Sequence, residues 1–303
     1  MEYIISASDA GEDIRTFLRR RDISRRICIR LKNTEGGILV NGEFATVRRV
    51  LREGDVLTLS YKDRESAANI DYAPPADFES SGVSILYEDD RFIAFDKPPF
   101  MPTHVSQGHL DDSLLNAAAG LYKSRGLPFV FRPVNRLDRD TSGIVLCAKD
   151  QLAASLMSNQ LIAGKVEKTY IAVLDGVIKP PRGLIEGYIR RKDGSIIERE
   201  PADTGEPSQF ASTRYKTVGK AFCGGAVVEA TPITGRTHQL RVHFKMAGCP
   251  ILGDSLYDAE SPLIGRQALH ASKLSFPDPF GERQVTIISK PPTDIRRLYE
   301  ELN

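Results

Sequence analysis

Residues 129 to 149 constrain this chain most, because FVFRPVNRLDRDTSGIVLCAK crowds five charges into a short loop between two apolar runs. Phe129, Phe131 and Val134 lead in, Ile144, Val145 and Leu146 lead out, and Thr141-Ser142-Gly143 has the composition of a turn. The charges are Arg132, Arg136, Asp138, Arg139 and Asp140. If both runs are core strands, at least one carboxylate is held near or below the surface, beside guanidinium groups that favour its ionised form. An enzyme places a reactive carboxylate in this way. A surface ion-pair cluster has the same pattern in one dimension.

The run Asn135-Arg136-Leu137-Asp138-Arg139-Asp140-Thr141-Ser142-Gly143 resembles the signature of the RluA-type family of ribosomal RNA pseudouridine synthases. The resemblance implies that Asp138, the aspartate of the Arg-Leu-Asp triplet, is the catalytic residue. It also marks a departure, since the family usually has His before that triplet and this chain has Asn135. Asn keeps a donor and an acceptor but cannot titrate, so a role in bracing survives there and one in proton transfer does not.

At 303 residues the chain is long enough for more than one domain. Its 41 basic and 40 acidic residues leave a net charge of +1, so any polyanion partner must be read from local charge. Cys28, Cys147, Cys223 and Cys249 lie far apart, without the paired spacing of a zinc site or a disulfide framework, and fit a reducing cytoplasm. The opening MEYIISASDAGED lacks a basic end followed by an apolar core, and no apolar run is long enough to span a bilayer. A soluble, unprocessed, cytoplasmic protein with no membrane partner is expected.

Residues 14 to 32 carry eight basic side chains, including Arg15, Arg19, Arg25, Arg26 and Arg30, against one acid, Asp22. Ile14, Phe17 and Leu18, then Ile23, Ile27 and Leu31, recur at helical spacing, so two short helices each bury one face and leave arginines outside, with Ser24 capping the second. Ile38 to Glu43 and Leu51 to Leu59 then alternate around Asn-Gly and Gly-Asp turns like a small sheet. This order is similar to the alpha-L RNA-binding motif, which makes residues 1–66 an expected RNA-binding domain. A charge run can also be a merely solvated face. Arginines on a compact two-helix face suit phosphates and RNA shape, positioning the substrate without choosing the base. Residues 67–82, polar and interrupted by Pro74-Pro75, read as a linker that tethers this domain to a second one over 83–303.

That second domain reads as α+β: two strands ending at Lys97-Pro98, a helix at Leu114–Tyr122, the charged loop, a helix at Gln151–Ile162, then mostly strands. Three further stretches resemble blocks of the same family. In Lys168 to Gly176 the family tyrosine that lines the pocket is Tyr170, although a strand tyrosine is more often ordinary core. In Thr234 to Phe244, Arg241 takes the position of a basic partner to the catalytic carboxylate, and His238 falls among the substrate-binding positions. His238 and His243 stand five apart, off the spacing of a helical metal pair, so no metal site is expected. In Leu269 to Phe276, Leu269 matches the apolar residue packed beside the tyrosine.

The resemblance as a whole implies an α+β pseudouridine synthase fold with a mixed, mainly antiparallel sheet, acting as a monomer on structured RNA, ribosomal or transfer. It implies base flipping, and catalysis by Asp138 with Tyr170 and Arg241. Asn135, His238 and Leu269 would shape the pocket, and Arg136 would fill the vacated stack. Breaking the N1 to C1′ bond, turning the uracil and rejoining it through C5 adds and removes no group, so no cofactor is expected. Two other readings compete. One is an RNA-binding or ribosome-assembly protein that kept the fold without activity. The other is a glycoside or nucleoside hydrolase using Asp138 and Asp140, which requires two carboxylates facing each other across a bond.

Overall fold

The computed structural model describes residues 1–60, 78–128, 130–203, 207–281 and 283–299. The first unit comprises β1 (Glu2–Ile4), α1 (Ile14–Arg20), α2 (Arg25–Lys32), β2 (Ile38–Val40), β3 (Glu43–Phe44) and β4 (Val56–Leu59), with sheet order β1-β4-β2-β3. Local chemistry sets its boundaries. Asp13 accepts the Thr16 N–H at 2.8 Å and Ser24 that of Ile27 at 3.4 Å, so each helix starts at a capped turn. Asn41 (φ 55°) and Gly42 (φ 82°) form the two-residue left-handed turn joining β2 to β3, a conformation that Asn-Gly tolerates. Ile14, Phe17, Leu18, Ile27 and Leu31 then bury against Ile38, Val40, Leu57 and Leu59, each burial stabilising by about 1.5–3 kcal/mol.

The second unit follows as β5 (Ser84–Glu88), β6 (Phe92–Lys97), α3 (Leu114–Ser124), β7 (Ser142–Ala148), α4 (Gln151–Ile162), β8 (Glu167–Val173), β9 (Arg182–Arg191), β10 (Arg199–Ala202), β11 (Gln209–Lys220), β12 (Ala226–Pro232), α5 (Gln239–Met246), β13 (Leu269–Pro277), β14 (Gln284–Ile288) and α6 (Thr293–Arg296). One sheet runs in the order β10-β9-β11-β12-β8-β13-β7-β6-β5, with β14 pairing on β13. Only β7 and β13 pair in parallel among the described strands, so the fold is α+β with a mixed, mainly antiparallel sheet. Every residue of β7 is buried. Its alternation sends Val145 and Cys147 to one apolar layer, with α3 and α5, and Ile144 and Leu146 to the other, with α4.

Three expectations change here. The run leading into the charged loop is no core strand: Phe129 lies outside the described residues, and 130–135 is half-buried extended chain touching β7 through Val134 N to Leu146 O (2.7 Å) and Ala148 N to Arg132 O (2.9 Å). Ser142-Gly143 does not close a turn but opens β7. At Gly143 (φ +112°) an added Cβ would meet the Ala271 carbonyl oxygen at 2.3 Å, so the parallel approach of β13 requires glycine. The expected linker, 67–82, falls outside the described residues up to 77, and 78–82 form a short turn at Glu79–Ser81.

The two units also touch. Ala153 and Met157 of α4 face the large sheet, while Leu152 and Leu156 pack into the core of the first unit. Arg30 donates to Gln151, and Asn159 donates to the Asp22 carbonyl at 2.8 Å. A helix apolar on both sides is buried on both sides. Here it is the seat of the basic helix pair.

Candidate active site

The charged loop is held at almost every residue. The Asn135 amide donates to Ile144 O (2.9 Å) and accepts from Leu146 N (3.0 Å), doing the work of the missing ladder on β7. Thr103 Oγ1 donates to Leu137 O at 2.9 Å and accepts from Leu137 N at 3.2 Å. The fully buried Lys97 donates to the carbonyls of Pro98 (2.9 Å), Met101 (2.7 Å) and Arg139 (3.0 Å). Three carbonyls match the three N–H groups of an ammonium. Burial lowers the Lys97 pKa to about 7, with Asp140 and Asp138 pulling the other way. Arg266 closes the far side, donating to Asp140 O at 2.9 Å and pairing with Asp294 at 2.8 Å.

This frame presents the Asp138 carboxylate, 27% exposed, to a cleft of about 1460 Å³. Arg241 Nη1 lies 3.2 Å from Asp138 Oδ2, while its Nε and Nη2 grip the buried Asp254 at 2.7 Å each. Burial opposes the Arg241 cation, but the bonds and charge of Asp254, with the charge of Asp138, outweigh it and raise its pKa. A bidentate pair with Asp254 fixes the guanidinium plane, which leaves one edge aimed at Asp138. Arg241 Cζ sits over the Tyr257 ring, 4.9 Å from its centre.

His238 caps α5 in a left-handed conformation (φ 56°), uncommon for a side-chain-bearing residue. That turn brings Nε2 to 3.8 Å from Asp138 Oδ2, while Nδ1 meets the Tyr257 hydroxyl at 2.8 Å. Burial lowers the His238 pKa, against the opposing charge of Asp138, so the ring is neutral at pH 7. Gln239 secures this corner, accepting from Arg236 N (3.0 Å) and donating to Ser212 O (2.9 Å). His243 points elsewhere, to Thr213 at 2.9 Å.

Tyr170, on β8, is paired with Ala230 on one side and Ala271 on the other, small neighbours that leave its ring room at the cleft wall. Among the described residues its hydroxyl has no hydrogen-bond partner. Burial, then the Asp138 charge, raises its pKa, which keeps it a neutral phenol able to donate.

The cleft therefore gathers all seven pocket residues singled out in the sequence: Asn135, Arg136, Asp138, Tyr170, His238, Arg241 and Leu269. Arg136 is exposed at its rim. Asp140 is turned out toward Arg139, at 2.7 Å, and does not line the cleft, so the two carboxylates of the loop do not face each other. Arg15, Arg19, Arg25 and Arg26 are exposed on the first unit, whereas Arg30 is half-buried and engaged with Gln151. Arg20 and Arg21 are tied down by Asp9, just outside the basic run. Sequence reasoning missed Asp254, Tyr257 and Arg266, and gave no role to Lys97 and Thr103, whose stretches resemble the opening of the family's catalytic domain. For Asp254 the available signal was a lone acid in the otherwise uncharged stretch Pro250–Tyr257.

Known proteins resemble this chain over most of its length. The family described as RNA pseudouridylate synthase matches residues 91–246. An uncharacterized RNA pseudouridine synthase of Bacillus subtilis, YjbO, is 34% identical over 281 residues, covering 93% of this chain and 96% of that relative. Ribosomal large subunit pseudouridine synthase D of Xanthomonas campestris is 31% identical, covering 88% of this chain and 81% of its own. Among solved structures, human RNA pseudouridylate synthase domain containing 4 superposes with a TM-score of 0.56 at 26% identity, covering 71% of this chain and 90% of that one. With these relatives and the mixed-sheet fold on one side, and the Arg-Leu-Asp loop on the other, the chain belongs to the RluA-type RNA pseudouridine synthases.

Proposed function

We propose that this enzyme isomerises a uridine of ribosomal RNA, with transfer RNA the second choice, using Asp138 as its catalytic carboxylate. The relatives named for the large ribosomal subunit support that choice of RNA. The observation that carries the assignment of Asp138 is its place in the cleft, 3.2 Å from an Arg241 that Asp254 locks from behind.

The target base is extruded into the cleft, at a cost of a few kcal/mol in stacking and pairing. Asp138 then acts at the sugar, as nucleophile at C1′ or as base at C2′, and the N1 to C1′ bond breaks. The uracil turns and C5 bonds to C1′; the C5 proton departs and N1 gains one, so composition is unchanged. Tyr170 stacks on the uracil and offers its phenol proton, Leu269 walls the pocket, and Arg241 orients the carboxylate. Arg136, at the rim, fills the vacated stack. Arg15, Arg19, Arg25 and Arg26 draw the RNA phosphates, releasing counterions. No helix among the described residues is long and apolar enough to cross a membrane, and work on ribosomal RNA fits a cytoplasmic protein.

Asp138→Asn tests the assignment, since it keeps size and hydrogen bonding but removes the charge. Pseudouridine, mapped in ribosomal RNA, should disappear while RNA binding and the fold persist, and Asp140→Asn should stay active. Turnover at the wild-type rate in Asp138→Asn would end this reading.

A further inference from the structure

The cleft wall formed by Arg199, Arg236 and Thr237 is shared with a second cavity of about 340 Å³, completed by Arg190, Arg191 and Gln209. Its charges are uneven. Arg190 is answered by Glu200 at 2.8 Å, and the nearby Glu198 is taken by Lys192 at 2.8 Å. Arg191, Arg199 and Arg236 have no ion pair among the described residues. Arg199 and Arg236 are half-buried and fixed by main-chain oxygens: Arg199 Nη1 donates to Ile197 O (3.2 Å) and Glu198 O (3.1 Å), and Arg236 Nε to Phe210 O (3.0 Å). Among the described residues no carboxylate answers these three guanidinium groups, so they repel one another until an anion enters, and their planar donors suit phosphate oxygens.

We infer that this cavity is a phosphodiester subsite, holding a backbone phosphate of the RNA strand whose uridine occupies the neighbouring cleft. The inference rests on the RNA-isomerase reading, because the shared wall makes the cavity the next stop for a strand leaving the cleft. The site is also wired to the catalytic loop. The Arg199 N–H donates to the Tyr257 hydroxyl at 2.8 Å, and that hydroxyl meets His238, which faces Asp138.

The test compares wild type with the Arg191→Gln/Arg236→Gln double variant, using a uridine-rich RNA stem-loop and fluorescence anisotropy over a range of salt. One lost phosphate contact should flatten the plot of log K against log salt by about 0.7–0.9 and weaken low-salt binding roughly tenfold. Arg236→Lys keeps the charge and should keep the slope, which separates lost contact from damaged fold. A double variant with the wild-type slope overturns the inference. So does the case in which inorganic phosphate, titrated alone by calorimetry, binds wild type and not the variant while both show one RNA slope, since the cavity would then take a free anion. Pseudouridine formation by the wild-type protein is read separately, so failure of the isomerase reading is not confused with failure of the subsite.

Discussion

At Asn135 the chain leaves its family pattern, and the structure supplies a reason why it tolerates the change. The amide bridges Ile144 O and Leu146 N, bracing the Asp138 loop against β7 where the incoming chain forms almost no ladder. Asn135→His should therefore keep turnover within about tenfold, ~1.4 kcal/mol in the barrier, and add no ionisation near pH 6.5 to the rate profile. Asn135→Ala should be worse, since two partly buried bonds are lost at about 1–3 kcal/mol and the carboxylate is left loosely aimed. A His variant faster than the parent, with a new pH-dependent limb, would mean the position transfers protons after all. Asp254 behaves differently. Asp254→Asn leaves the buried Arg241 with only Asp138 for a counter-charge, so it should cost about 3–5 kcal/mol of stability as well as activity. Chemical denaturation beside single-turnover rates would separate the two losses, and a variant of unchanged stability would refute this view of the pair.

What was legible at the scale of elements depended on how far apart in sequence the partners lie. The cap at Ser24 and the Asn41-Gly42 turn could be read because each is satisfied within a few residues, whereas the equally local cap at Asp13 was passed over. Tyr170, Arg241 and Leu269 could be placed by resemblance, but not the pair that supports Arg241, because nothing local announces that Asp254 and Tyr257 fold back onto α5. Gly143 was misread for the same reason. Its glycine answers a backbone more than a hundred residues downstream, not a turn of its own. Gly143→Ala should combine left-handed strain with a clash against the Ala271 main chain, and lower stability by about 2–4 kcal/mol. A melting temperature within error of wild type would show that β13 can yield there.

For the molecule as a whole, α4 is the joint between its two units, with Leu152 and Leu156 on one side and Ala153 and Met157 on the other. The polar stretch 67–82 reads as a tether for an RNA-binding domain, and Leu152 and Leu156 give the basic helix pair a seat on α4 as well. Deleting residues 1–66 should thus weaken and flatten the salt dependence of RNA binding, and also expose Leu152 and Leu156, so the fragment should aggregate unless both are made polar. An unchanged salt slope in the repaired fragment would reduce the basic helices to a solvated surface. The parallel pair of β7 and β13 has a consequence in time. Ser142 and His270, which meet across it, are 128 residues apart, so on a ribosome adding about 5–20 residues per second the strand bearing the Asp138 loop waits roughly 6–26 s for its neighbour. Until then Asp138 lacks Arg241, Asp254 and the Leu269 wall. The basic helices of residues 14–32 are therefore made well before the cleft they precede is complete.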